Sequence, residues 1–167
     1  MFKTNTETER KFLIEFPSKA LLESIPECDK SEITQTYLLS KSGVTSRVRK
    51  RTGEGKAIYT KTEKIRINNL SCTEKEGEIT EEEYRRELLS TDPKRKPIQK
   101  TRVLLRSGNH VFEIDIYPFW RDRAIMEVEL SEENEKFEIP REIKVIKEVT
   151  DDKRYKNASL AIEVPRD

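Results

Sequence analysis

The sequence predicts an antiparallel α+β fold, with eight strands and about three helices in 167 residues. Three observations point to it. Apolar and ionisable residues alternate at period two in one segment after another. Short turn sequences (Lys41-Ser42-Gly43, Thr52-Gly53-Glu54-Gly55 and Ser107-Gly108-Asn109) join neighbouring segments as hairpins. Helix-start signals are few and separated by long strand-like stretches. The length favours one domain, 1–167, with room for a core.

Taken in order, residues 6–16 read as the first strand. Pro17-Ser18 starts a short helix through Leu21, Leu22 and Ile25, stopped before Pro26. Residues 32–40 place Ile33, Tyr37 and Leu39 at period two, and 44–51 and 56–64 form the next hairpin. Asn68-Asn69 is a loop, and 72–79 is a very acidic strand. Thr80 with Glu83 is a capping-box pattern for a helix through Tyr84, Leu88 and Leu89, ended by Asp92-Pro93. Three strands follow, at 97–106, 110–118 and 123–131. Ile143, Val145, Ile146 and Val149 fit a helix or a strand, and Asp151 or Asp152 caps a last helix around 155–162.

Charged residues make up 39% of the chain, yet 33 basic side chains balance 32 acidic ones at a net +1. No bulk field argues for nucleic acid or a membrane, so any electrostatic function lies in local placement. Cys28 and Cys72 form neither a metal-spaced pair nor a disulfide framework, and a reducing compartment suits them. No signal-peptide h-region or long apolar run is present, and a cytoplasmic location is expected.

Placement is where the sequence is informative. On a strand, Glu7, Glu9 and Lys11 share one face and Phe12, Ile14 and Phe16 the other. Arg47, Arg49 and Arg51 alternate with Ser46, Val48 and Lys50, and Lys61 lies with Tyr59 and Ala57. Glu74, Glu76 and Glu78 line up, and Lys100 and Arg102 share a face. Glu113 and Asp115 oppose Phe112, Ile114 and Ile116, and Glu127 and Glu129 oppose Met126, Val128 and Leu130. An ordinary wet face mixes Thr, Ser, Gln and Lys; here like charges come in same-face pairs. Such pairs need counter-charges, a metal or a polyanion. If the sheet closes, these faces meet inside a tunnel, the apolar faces point outward, and the helices cover part of them.

At this point the sequence resembles the CYTH family, the triphosphate tunnel metalloenzymes, over nearly its whole length. The family's Glu-x-Glu-x-Lys is matched by Glu7, Glu9 and Lys11, and its Gln-x-Tyr-Leu by Gln35, Tyr37 and Leu38. Arg47-Val48-Arg49, Thr60-Lys61, Glu74-Lys75-Glu76 and Lys100-Thr101-Arg102 follow in order. Glu113-Ile114-Asp115, Glu127-Val128-Glu129-Leu130 and the run from Tyr155 to Ala161 complete the series. Thr36, Thr62, Lys75 and Gly77 depart from residues common in the family.

The resemblance implies a closed eight-stranded antiparallel β-barrel (a tunnel) with a few flanking helices, and metal-dependent hydrolysis of a triphosphate, inorganic tripolyphosphate first. It implies that Lys11, Arg47, Arg49, Lys61, Lys100 and Arg102 bind phosphate oxygens, arginine in bidentate fashion and lysine as a point charge. Glu7, Glu9, Glu74, Glu76, Asp115, Glu127 and Glu129 are the implied ligands of Mg2+ or Mn2+, hard ions that prefer oxygen. Glu9, Lys11 and Tyr37 are the implied catalytic group, the last two positioning water. The family also contains thiamine-triphosphatases and class IV adenylyl cyclases, and a non-enzymatic polyphosphate- or nucleotide-binding module is a further reading. The partner expected is a small-molecule triphosphate, and a homodimer is compatible with the family. Glu113 fits a tunnel-mouth counter-ion as well as a ligand. Arg51 and Glu78 read as rim charges, Tyr155 and Asn157 as anchors of the last helix, and Trp120 as a cover for a loop or the barrel wall.

Overall fold

The computed structural model describes residues 2–166. The elements are β1 (Lys3–Glu15), α1 (Lys19–Ser24), β2 (Lys30–Leu38), β3 (Val44–Gly53), β4 (Lys56–Arg66) and β5 (Ser71–Ile79). Then come α2 (Glu81–Glu87), β6 (Ile98–Ser107), β7 (His110–Ile116), β8 (Arg123–Leu130), β9 (Val145–Glu148) and α3 (Asn157–Leu160). The strands hydrogen-bond in the order β5-β4-β3-β2-β6-β7-β8-β1, and β1 pairs back onto β5. The result is a closed eight-stranded antiparallel β-barrel with a few short helices, as expected.

The closure runs through β1. Its residues Lys3–Thr8 pair with β5, and Thr8–Glu15 pair with β8 along the other edge. Where β1 parts from β5, Phe12–Ile14 take β9 as a third partner. The segment around 143–149, which fitted either helix or strand, is therefore a strand outside the ring.

Helix starts follow the capping chemistry. The Ser18 hydroxyl accepts from the Leu21 amide at 3.1 Å at the head of α1. At α2, Glu83 N donates to the Thr80 hydroxyl at 3.0 Å and Thr80 N donates to the Glu83 carboxylate at 2.7 Å, a complete capping box. The last helix is shorter than the pattern suggested. Lys156 is extended (φ −71°, ψ 142°) and splits it into a 3-10 turn, Lys153–Tyr155, and the single turn of α3. Asp152 caps the first piece. Among the described residues, no helix is long and apolar enough to cross a membrane.

Because opposed residues in an antiparallel ladder share a face, one alternation runs round the whole barrel, and its apolar side faces out. Phe12, Ile14, Val103, Phe112, Ile114 and Met126 pack beneath Leu21 of α1, Ile25 just after it and Ile143 of the loop before β9. Val48 and Leu38 pack beneath Tyr84 of α2, with Tyr59, Ile79 and Leu88 beside them. Each such side chain contributes roughly 1.5–3 kcal/mol when fully buried. A third cluster joins Leu13, Tyr37, Ile98, Tyr117 and Ile125 to Val149, Tyr155, Leu160 and Ala161. The C-terminal segment thus packs against the strands' inner residues at one end. Trp120 lies in this end cluster, against Tyr117 and Tyr155.

Candidate active site

The inner faces enclose a cavity of about 370 Å³ whose lining is mostly charged. Strand register decides which side chains reach it. Glu9 stands opposite Glu129 and Lys11 opposite Glu127 on the β1–β8 ladder, and Glu127 stands opposite Glu113 on β7–β8. These carboxylates make one wall. Across the barrel, Arg47, Arg49 and Arg51 of β3 line the cavity with Arg102 of β6. Glu74 and Glu76 of β5 line it too, as do Glu7 and Tyr37.

The basic wall holds unused donors. Arg49 donates one terminal N–H to Gln35 Oε1 at 3.2 Å, and Gln35 donates to the Tyr37 hydroxyl at 2.9 Å. The Nε atoms of Arg47 and Arg49 are buried without a hydrogen-bond partner. An unpaired buried N–H is costly, so two on adjacent inward positions mark a place for an acceptor. Burial, with Arg47 and Arg102 nearby, lowers the pKa of Arg49. The guanidinium gains by receiving an anion.

The acidic wall has the opposite need. Burial and the neighbouring Glu127 carboxylate hold Glu9 well above the usual carboxylate range. Burial would raise Glu127 as well, but the Lys11 ammonium, at 3.3 Å, and a hydrogen bond with Glu9 keep it low. Partial burial raises Glu129, reinforced by Glu7 and Glu113. Among the described residues, Glu9 and Glu129 make no ion pair. This oxygen-rich group suits a hard divalent cation, which would take the place of the proton that Glu9 otherwise keeps. A second acidic group comprises Glu7, Cys72 and Glu74, whose ligand atoms lie within 4.8 Å of one another. One of its oxygens, Glu74 Oε2, is buried without a hydrogen bond.

Three residues expected in the tunnel are placed elsewhere. Lys61 lies outside the barrel, its ammonium 2.9 Å from Glu87 of α2. The reason is register. The two-residue turn Glu54-Gly55 pairs Gly53 with Lys56, which sets Lys61 opposite Val48, an outward core residue. Lys100 and Asp115 point inward but do not line the cavity. They bind each other at 2.7 Å with both side chains sealed from solvent. Asp115 also accepts from Arg102 at 2.8 and 2.9 Å. Burial would raise Asp115, yet Lys100 and Arg102 hold it well below the usual range, and burial brings Lys100 down to about 7. This network props Arg102 rather than offering free groups to a ligand.

Other lining residues were either not singled out from the sequence, as with Lys64, Arg66 and Lys156, or were given another role. Lys64 and Arg66 take the inner positions of β4. The same hairpin arithmetic exposes them, since it sets Lys64 opposite Thr45, two positions from Arg47. Arg51, read as a rim charge, and Glu113, left between counter-ion and ligand, both line the cavity, and Glu113 accepts from Arg102 at 2.7 Å. Lys156 and Asn157 line it from the C-terminal segment, which no strand periodicity could have placed there. Asn157 is also anchored, accepting from the Tyr117 hydroxyl at 2.6 Å. Arg10 is outside, paired with Glu148 and stacked on Phe137.

No protein-family model and no curated protein matches the chain. Solved structures do. The structure of the inorganic triphosphatase NE1496 aligns at a TM-score of 0.58 and 28% identity, over 95% of this chain and 96% of that one. The chain is similar in fold to an inorganic triphosphatase. The PH1819 protein from Pyrococcus horikoshii OT3 aligns at 0.57 and 19% identity, over 77% of this chain and 80% of that one. A conserved hypothetical protein from Pyrococcus furiosus aligns at 0.57 and 18% identity with the same coverage. The two Pyrococcus proteins share the fold alone.

Proposed function

We propose that the chain is a triphosphatase of the CYTH family that hydrolyses inorganic tripolyphosphate to orthophosphate and pyrophosphate, with Mg2+ or Mn2+ as cofactor. The observation that carries this reading is the pair of buried, unpartnered Nε–H groups of Arg47 and Arg49 facing a wall of carboxylates. A site for a neutral ligand has no use for either. A site for a polyanion delivered with a divalent cation needs both. The 28% identity to an inorganic triphosphatase over nearly the whole chain supports the same substrate class.

In this reading Arg47, Arg49, Arg51 and Arg102 hold the phosphate oxygens, Arg47 and Arg49 with Nε–H groups that have no other partner. Asp115 and Glu113 fix Arg102 in place before substrate arrives. Tyr37 and Gln35 brace the arginines from beneath. Glu9, Glu127 and Glu129 hold the metal ion, which when bound neutralises phosphate charge and polarises the reacting phosphoryl group. Lys11, set between Glu127 and the Tyr155 carbonyl, orients the attacking water with Tyr37 near it. That water adds to a terminal phosphorus, the bridging P–O bond breaks, and the leaving pyrophosphate keeps the bond's electrons.

The test is phosphate release by purified protein from tripolyphosphate, ATP and thiamine triphosphate, with Mg2+ or Mn2+. Release from tripolyphosphate above the other two is expected. No release from any of them, with tight tripolyphosphate binding, makes the barrel a binding module instead. Cyclic AMP formed from ATP makes it a cyclase.

A further inference from the structure

The basic lining of the cavity runs on past the arginines assigned to the substrate. Arg51, Arg49 and Arg47 step along β3 at two-residue intervals, about 7 Å each. On the neighbouring strand, Thr62 stands opposite Arg47, and Arg66 lies four residues beyond it, about 13 Å further along the wall. There the cavity meets the C-terminal segment, and Gly43, Thr45, Lys156 and Asn157 line it with Arg66. Arg66 and Gly43 are exposed and Lys156 is half-buried, so this end opens to solvent. Gly43, at φ +81°, has nothing within 4 Å of where a Cβ would stand. Among the described residues, neither Arg66 nor Lys156 has an ion-pair or hydrogen-bond partner for its side chain. Glu9 borders a void of about 20 Å³ beside both and pairs with neither. Burial lowers the pKa of Lys156, and Arg66, Lys11 and Lys153 lower it further. Cations gathered without a counter-charge repel, and an anion between them relieves the repulsion.

We propose that Arg66 and Lys156 form a further phosphate subsite at this mouth, separate from the one that Arg47, Arg49, Arg51 and Arg102 provide. The inference rests on the reading of the cavity as a triphosphate site. The guanidinium and the ammonium supply charge and donors from opposite sides, one from β4 and one from the C-terminal segment. The neighbouring polar groups suit the same ligand. Tyr117 occupies the Asn157 side-chain oxygen, which leaves the amide N–H groups of Asn157 as donors. A phosphate group reaches this mouth from two sources: orthophosphate released by hydrolysis, or the fourth phosphate of a linear chain longer than tripolyphosphate. Both present the same anionic oxygens to the two cations.

The experiment is equilibrium dialysis of radiolabelled orthophosphate against the full-length protein saturated with pyrophosphate. Calorimetric affinities for tripolyphosphate and tetrapolyphosphate are measured beside it, all without added divalent metal. Retention of one orthophosphate beside pyrophosphate is expected if the first source fills the subsite. A tetrapolyphosphate affinity at least about fivefold above that for tripolyphosphate is expected if the second does. Arg66→Gln and Lys156→Gln should each weaken that extra binding about fivefold, the upper end for a contact partly open to solvent. Two variants on different elements guard against a folding failure in one, and circular dichroism checks both. Neither retention nor a tetrapolyphosphate gain overturns the proposal, as does extra binding that both folded variants keep unchanged. Phosphate release from tripolyphosphate with Mg2+ is assayed separately on the same preparations. Hydrolysis without the extra binding removes the subsite and keeps the activity; extra binding that the variants lose, without hydrolysis, does the reverse.

Discussion

Glu9 stands directly across from Glu129 on the β1–β8 ladder, and neither carboxylate has an ion-pair partner among the described residues. Like charges opposed on a ladder destabilise it, by something near the 0.2–1 kcal/mol typical of cross-strand pairs. Partial desolvation raises the cost, and both groups are pushed toward protonation. The barrel gains nothing from this pairing. The site does, because two unneutralised oxygens on one wall are what a divalent ion binds.

Replacing Glu9 with Gln should therefore separate stability from activity. The melting temperature of the metal-free protein is expected to rise, while turnover of tripolyphosphate falls by at least the roughly 10–100-fold that loss of a group merely supporting a metal ligand brings. Calorimetric melting beside the phosphate assay reads both. Full activity in Glu9→Gln would remove Glu9 from the site.

Arg49→Ala and Lys61→Ala test the two sides of the barrel wall. Arg49 faces the cavity with an unpartnered Nε, so its loss should lower kcat by about 10²–10³-fold, the usual cost of a donor to developing charge. Lys61 faces Glu87 outside, and its removal should leave kcat and KM within about twofold of native, since half-exposed ion pairs contribute about 0–1 kcal/mol. Steady-state kinetics on both variants decides it, and equal losses would place Lys61 back in the tunnel.

Asp115→Ala should damage the fold rather than the chemistry alone. It leaves Lys100 and Arg102 without their buried partner, and breaking a buried ion pair from one side costs about 3–5 kcal/mol. Urea denaturation followed by tryptophan fluorescence measures this through Trp120. A change under about 1 kcal/mol would mean that the cations find other partners.

The Glu7–Glu74 pair sets a pH dependence for the metal-free protein. Burial and the hydrogen bond with Glu7 raise Glu74 to about 7. Burial would raise Glu7 too, but Lys64 and the Glu74 hydrogen bond bring it down to about 2. Above pH 4.5 the folded chain keeps the Glu74 proton that the unfolded chain has lost, so stability falls as pH climbs from 4.5 to 7. Below pH 4.5 the unfolded chain takes up a Glu7 proton that the folded chain refuses, so stability is lost as pH falls toward 2. Melting temperatures across this range should show a shallower decline from pH 4.5 to 7 in Glu74→Gln than in the native chain. Identical slopes would exclude the pair as its source.

The strands were legible because period-two alternation is a local property, nearly clean in at least four of them, while their closure into a barrel came from the family resemblance. Placing each lysine required more than alternation. Lys61 and Lys64 have opposite parity on one strand, and only the pairing of Gly53 with Lys56 across the turn says which of them faces Arg47. Residues 145–148 resisted assignment because a four-residue strand is too short for any period to declare itself, and it forms only against Phe12–Ile14. Lys156 and Asn157 reach the cavity through tertiary packing of Tyr155 and Leu160, a relationship with no trace in local sequence.

β1 has consequences for how the molecule comes into being. Its three partners lie at 71–79, 123–130 and 145–148, so every strand pairing that fixes it is long-range, and those with β8 and β9 span most of the chain. Hairpins such as β3–β4 and β6–β7 can form from neighbours, but the closing strand must wait for partners far along the sequence, and contacts of such long range form slowly. During synthesis β1 is thus made long before the partners in β8 and β9 that fix its place. Glu7, Glu9 and Lys11 ride on that segment, and the acidic wall of the cavity assembles only when the barrel shuts.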